Sequence, residues 1–320
     1  MLQFRPMRAL PSLIHVSFKN IIRQSFFYLA IVGAYLFIVS TPAFTMFTFF
    51  DAEKFLIDTN MATIFLVGLL VSVLATSSIV GGEIEDKTTT LLLSKPLSRF
   101  TFLLSKFCAV ALALILAFIP LICALIMTLE VGVPEATWSD VNYHTLWFEF
   151  LPLIGAALVA AAANYYADKN FASSFIILFS IFLVISLSIL WFMSKAPLQM
   201  DLFYPIILLW MSSVLICPIA SLLALKGNVF FTLTFTFLIF ALGLVSNWFL
   251  GGLLHNPGIR IVYSIIPNFQ VFWIEEFWTK KEYIPIAYFW NVLKYVFLYC
   301  AGMLFLTWSI LENREVSGGR

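Results

Sequence analysis

Gly81–Lys106 reads GGEIEDKTTTLLLSKPLSRFTFLLSK, and the runs on either side of it are apolar and long enough to cross a bilayer. The stretch carries seven ionisable groups in twenty-six residues: Glu83, Glu85, Asp86, Lys87, Lys95, Arg99 and Lys106. Hydrocarbon does not host so many charges, so the stretch is a loop at a membrane face. Its four basic residues put that face on the cytoplasmic side. Glu83 and Lys87 stand at i, i+4 in the favourable order, so the preceding helix is expected to continue past Gly81 and Gly82. Pro96 drives Lys95 out of the helical region and ends that helix. Ser98 can then cap a new one. The expected local structure is a helix, a kinked elbow and a second helix, each continuous with a membrane span.

Working outward, a span needs about 20 apolar residues. That rule places spans near 25–48, 60–80, 101–129, 147–167, 171–193, 203–225, 229–250 and 287–311. The expected fold is an all-α polytopic membrane protein with about eight transmembrane helices, and residues 1–320 form a single transmembrane domain. Twelve Lys and Arg fall on the side of the termini and the first polar loop, against five on the other, which predicts cytoplasmic termini. The basic N-terminus followed by an apolar run resembles a signal peptide in outline. The run from Ser25 to Phe50 is too long for one, and no small-x-small cleavage signal follows, so it is expected to be a retained span.

Composition agrees. Charged residues make up 11% of the chain and hydrophobic ones 62%, whereas a soluble domain has about 25% charged residues. A water-soluble globule is thereby excluded. No basic patch outside the membrane-flanking loops is large enough for a nucleic-acid partner. Cys108, Cys123, Cys217 and Cys300 lie far apart within apolar runs, so neither a zinc site nor a disulfide framework is indicated.

Three further stretches carry information. In SLIHVSFKNIIRQ (Ser12–Gln24), Ile14, Phe18, Ile21 and Ile22 share one side of a helix, and His15, Lys19 and Arg23 another. Such a helix lies in the headgroup region, with His15 a headgroup contact. Gly155–Asn164 is a run of small side chains in which Ala156, Ala160 and Asn164 recur every four residues. It lets another helix approach closely, either within the bundle or across a dimer seam. Gly251–Pro285 is broken by Gly and Pro and rich in aromatics. From Pro267 and Asn268 onward, Phe269, Phe272, Trp273 and Phe277 recur at i, i+3, i+4 and i+8, which predicts an amphipathic aromatic helix at the outer interface. An outer gate and an aromatic belt anchor use the same residues, and both readings stand. Of the ionisable groups near the spans, Lys294 falls well inside the last one, while Glu149 and Lys226 sit at edges.

The order E-I-E-x-x-T-x-x-x-L-L-x-K-P-x-S-R-x-x-F-L-x-x-K, read from Glu83 to Lys106, resembles the first cytoplasmic loop of type-2 export-family ABC transporter permeases. The resemblance implies a coupling helix in the first inner loop, docking on separate nucleotide-binding ATPase subunits. It implies contacts to the ATPase from Glu83, Glu85, Asp86 and Lys87, and an elbow fixed by Lys95, Pro96 and Arg99. It also implies an N-terminal interfacial elbow helix within residues 1–24, short outer or re-entrant helices within 251–286 near Pro267–Trp273, and a second permease subunit, as a homo- or heterodimer. The location it implies is a bacterial cytoplasmic (inner) membrane. The family commonly has six spans, and this chain has two more between the fourth and the last.

The chain lacks the chemistry of an enzyme. No G-x-x-x-x-G-K-[ST], H-E-x-x-H or G-x-S-x-G is present. The three histidines, His15, His144 and His255, are too far apart to pair at ligand spacing within one helix. No catalytic, cofactor-binding or metal-ligating residue is therefore assigned, and ATP and Mg belong on the partner ATPase. The expected function is that of a membrane-spanning permease subunit coupling ATP hydrolysis elsewhere to substrate export or transmembrane mechanical work. The alternative is an ATP-independent membrane scaffold or a secondary carrier, and an adjacent ATPase gene distinguishes them.

Overall fold

The computed structural model describes residues 6–45, 52–82, 98–131, 143–194, 202–253, 255–256, 258–259, 263, 265–274 and 285–317. Among the described residues there are nine α-helices and no strand. They are α1 (Pro6–Ile22), α2 (Ser25–Phe44), α3 (Ala52–Thr76, running on through a π turn at Ser77–Gly81), α4 (Arg99–Val131), α5 (Tyr143–Ala167), α6 (Phe171–Ser194), α7 (Phe203–Ala224), α8 (Val229–Leu250) and α9 (Ile286–Ser317). Eight of them, α2 to α9, are long and apolar enough to cross a membrane, matching the eight expected spans.

Two boundaries are instructive. α3 begins at Ala52, ahead of the expected start near 60. Glu53 and Lys54 interrupt the apolar run there but are exposed, while Leu56, Ile57, Asn60, Met61 and Ile64 bury one helical stripe. A helix end needs only one apolar face to be held. α4 has 33 residues, about 50 Å at 1.5 Å per residue, and so outreaches a hydrocarbon core of about 30 Å.

α1 carries the expected amphipathic pattern: Ile21 and Ile22 are buried while His15, Lys19 and Arg23 are exposed. Extended Gln24, at φ −79° and ψ 140°, separates α1 from α2.

The helices belong to two compact units, each built from segments distant in sequence. One comprises Phe18–Val71 and Leu112–Ile206. Here α5 and α6 form an antiparallel pair across a tight turn. Asp168 takes a left-handed φ of 49°, a conformation that Asp tolerates better than most residues. Asn164 Nδ2 then donates to the Lys169 carbonyl at 2.6 Å. Aromatic rings join α2 to α6, with Tyr35 edge-on to Phe179 at 4.9 Å and Tyr28 edge-on to Phe175 at 6.4 Å. Pro152 lies inside α5 and has no N–H for the Phe148 carbonyl one turn earlier. Ser186 Oγ from α6 donates to that carbonyl instead, at 2.6 Å.

The other unit comprises Met1–Ser17, Ser72–Ala111 and Ile207–Arg320. The end of α3 packs on α7, where Ser72 Oγ donates to the Ser213 carbonyl at 2.8 Å. α7 and α8 are joined by a short turn in which Asn228 Oδ1 caps α8 by accepting from the Phe231 N–H at 2.9 Å.

Candidate functional site

Glu83, Glu85, Asp86, Lys87, Lys95 and Pro96 lie outside the described residues, so the structure bears on the first loop through its two flanks. The first flank is α3, which reaches Gly82 as helix, after the π turn at Ser77–Gly81. The second flank is the start of α4. Ser98 is its cap: Ser98 Oγ accepts the Thr101 N–H at 3.1 Å, and its backbone carbonyl accepts the Phe102 N–H at 3.1 Å. Loss of this cap costs about 1 kcal/mol. Ser98→Ala is therefore expected to lower stability in detergent by that amount, read from its unfolding curve, and Ser98→Asp to retain it.

Arg99, the one described member of the expected coupling set, turns its side chain away from its own helix. Its guanidinium donates to the Glu312 carbonyl near the end of α9, at 3.0 Å. Beside it, Phe100 meets Trp308 edge-on at 6.2 Å. Two turns further along, Lys106 is buried. Its ammonium donates to Ser17 Oγ on α1 at 3.0 Å and stands 5.1 Å from the centroid of the Phe102 ring. The first turns of α4 are thus bound to both α1 and α9. Because Glu312 sits beside Arg99, the start of α9, at Ile286, lies at the opposite end of the unit.

Toward that opposite end lies the second expected set, Pro267, Asn268, Phe269, Phe272 and Trp273. The α-helix expected from Pro267 does not form over the described residues. They make a single 3₁₀ turn, Gln270–Phe272, and Trp273 follows in an extended conformation. The aromatic spacing suited a helix, but burial is achieved otherwise. Phe269 and Phe272 are each 1% exposed, and Phe269 meets Phe240 of α8 at 5.1 Å, while Trp273 remains exposed. Gly243 of α8 makes this approach possible. A Cβ there would collide with the Pro267 carbonyl and come within 2.6 Å of the Phe269 ring.

Backbone outside a helix needs partners at membrane depth. Three tyrosines of α9 provide them. Tyr288 Oη donates to the Val271 carbonyl at 2.6 Å, the Asn268 N–H donates to Tyr295 Oη at 2.9 Å, and Tyr299 Oη donates to the Ile265 carbonyl at 3.0 Å. Spaced i, i+7 and i+11, the three share one helical face. Tyr299 lies 13 residues into α9, about 20 Å along it, so residues 265–271 run alongside the first half of that helix. That tyrosine stripe was present in the sequence and is the signal that would have found the docking.

The set brought together at the first-loop flank and the set at 265–274 both belong to the same compact unit. In the other unit, Glu149 keeps its expected place near the start of a span. It lies in the second turn of α5 and is fully buried, as is Thr145 one turn before it. Among the described residues no group of three or more His, Cys, Asp or Glu stands together as metal ligands would.

The family model described as "ABC-2 family transporter protein" matches residues 13–186, more than half of the chain. The match takes in α2 to α5, most of α6 and the whole first loop, and stops short of residues 265–274. Comparison with curated proteins and with solved structures gives no match.

Proposed function

Since the chain belongs to the ABC-2 transporter permease family, we propose that it couples ATP hydrolysis by a separate ATPase to export or to mechanical work across a bacterial inner membrane. At the coarser level it is a multi-pass membrane permease subunit of an ABC transporter. In the proposed working unit two permease subunits stand on two ATPase subunits, with the termini and the first loop on the ATPase side. Glu83, Glu85, Asp86 and Lys87 make polar contacts to the ATPase, and Lys95, Pro96 and Arg99 hold the elbow.

The observation that carries this reading is the Arg99–Glu312 hydrogen bond. A loop that only connects two spans needs no such tie. A loop that transmits force does, because displacement at residues 83–97 must reach more than one helix to change the packing of the spans. Through Arg99 and Phe100 the start of α4 carries α9 with it, and through Lys106 it carries α1. Motion is transmitted when the helices have two discrete packings, which close-packed interiors favour. In this reading the segment 265–274 serves as an outer gate or as a belt anchor, and the gate is supported by side-chain hydrogen bonds to α9 that a shift of that helix would break.

The test is an affinity pull-down of the tagged protein in mild detergent, with mass spectrometry of what accompanies it. A stoichiometric soluble ATPase with Walker motifs is expected. A clean monomer or dimer with no nucleotide-binding partner under gentle extraction would overturn the coupling role.

A further inference from the structure

Glu149 has the least favourable surroundings for a charge among the described residues. It is 0% exposed, and neither Oε1 nor Oε2 has a hydrogen-bond partner. The donors that come near are committed elsewhere. Tyr35 Oη of α2 donates at 2.8 Å to the backbone carbonyl of Glu149, not to its carboxyl, and Ser186 Oγ of α6 donates at 2.6 Å to the carbonyl of Phe148. Thr145 Oγ1, one turn earlier and also 0% exposed, has no partner either. The titratable groups facing the site are the Tyr35 phenol and, beside that phenol, the Cys123 thiol of α4. α6 presents Phe179, packed edge-on to Tyr35. His144, on the same helix as Glu149, is exposed.

An unpaired carboxylate in such a place is strongly disfavoured even after relaxation, while a neutral acid avoids the charge term. A divalent cation would need further ligands of a kind that do not gather among the described residues. A proton needs neither space nor additional ligands.

We propose that Glu149 is a proton-binding site. In the packing described, its carboxyl holds the proton. When α2, α5 and α6 separate far enough for water to reach it, the carboxyl O–H bond breaks, the proton passes to water as hydronium, and the carboxylate remains hydrated. Proton occupancy is then linked to the packing of these three helices. The inference does not depend on the ATPase partner, because the site lies outside the coupling flank and its test uses the permease alone.

The test is infrared spectroscopy of the full-length protein in lipid nanodiscs. At neutral pH, where accessible carboxylates are ionised, a protonated-carboxyl carbonyl band that shifts on H/D exchange is expected. Glu149→Gln should abolish the band, and Glu149→Asp should retain it at an altered frequency. If Glu149→Gln does not yield a monodisperse protein, the Glu149→Asp spectrum decides by itself: a moved band supports the site, and an unmoved one overturns it. Absence of any protonated-carboxyl band in the wild type, or a band unchanged in Glu149→Gln, would equally overturn the proposal.

Discussion

Replacing Glu83 and Glu85 together by lysine is expected to abolish copurification of the ATPase while leaving the permease folded and correctly oriented. Truncating one partner of a buried, hydrogen-bonded charge pair costs about 2–5 kcal/mol, and reversal adds like-charge repulsion. On the proposed contacts each glutamate is one half of such a pair, so disrupting both is expected to weaken binding by at least about a hundredfold, at 1.4 kcal/mol per factor of ten. The bundle is spared because both side chains belong to the polar loop and not to a span. Orientation is also spared, since two added lysines strengthen the excess of positive charge on that side. The readouts are ATPase recovered per permease and, as a folding control, the elution profile of the variant. Undiminished copurification together with full substrate-linked turnover would show that these residues do not carry the coupling.

Gly243→Ala is expected to release the segment 265–274 from α8. The added methyl would meet the Pro267 carbonyl, which is backbone, and the Phe269 ring at 2.6 Å. A rotamer change can move the ring but not the carbonyl, so the segment itself must retreat. Its retreat would expose Phe269 and Phe272, each now 1% exposed, and exposing one such side chain to water costs about 1.5–3 kcal/mol. Retreat also strains the three tyrosine hydrogen bonds, each worth about 1 kcal/mol. The comparison variant is Gly302→Ala on α9, where a Cβ meets nothing within 4 Å and helix propensity improves by about 1 kcal/mol. Unfolding midpoints in mixed detergent should therefore move in opposite directions. If Gly243→Ala is as stable as the wild type, the segment is not held against α8 as described.

The eight spans were legible because a bilayer selects on a property that adds up locally. About twenty apolar residues suffice whatever their partners, and each expected span has its helix. The Ser98 cap was legible for the same reason: it joins residues three apart, set by side-chain chemistry and the preceding Pro96. The permease family was legible in the sequence of residue types from Glu83 to Lys106, and the family match over residues 13–186 contains that stretch.

The aromatic pattern after Pro267 misled because regular spacing records which side chains are buried without recording by what. Phe269 and Phe272 are indeed buried, but a 3₁₀ turn does it, made possible by Gly243 some two dozen residues earlier and by tyrosines on the following helix. Glu149 stands near the start of its span as expected, but hydropathy does not say whether a side chain there meets water. Whether a carboxyl at the second turn meets water depends on which helices stand beside it, and here α2 and α6 close over it. Membrane crossing, the Ser98 cap and the family were therefore readable from neighbours in the chain. The Arg99 tie, the docking of residues 265–274 and the burial of Glu149 join residues tens to hundreds of positions apart. Their energies come from interactions that exist only once the chain has brought those positions together.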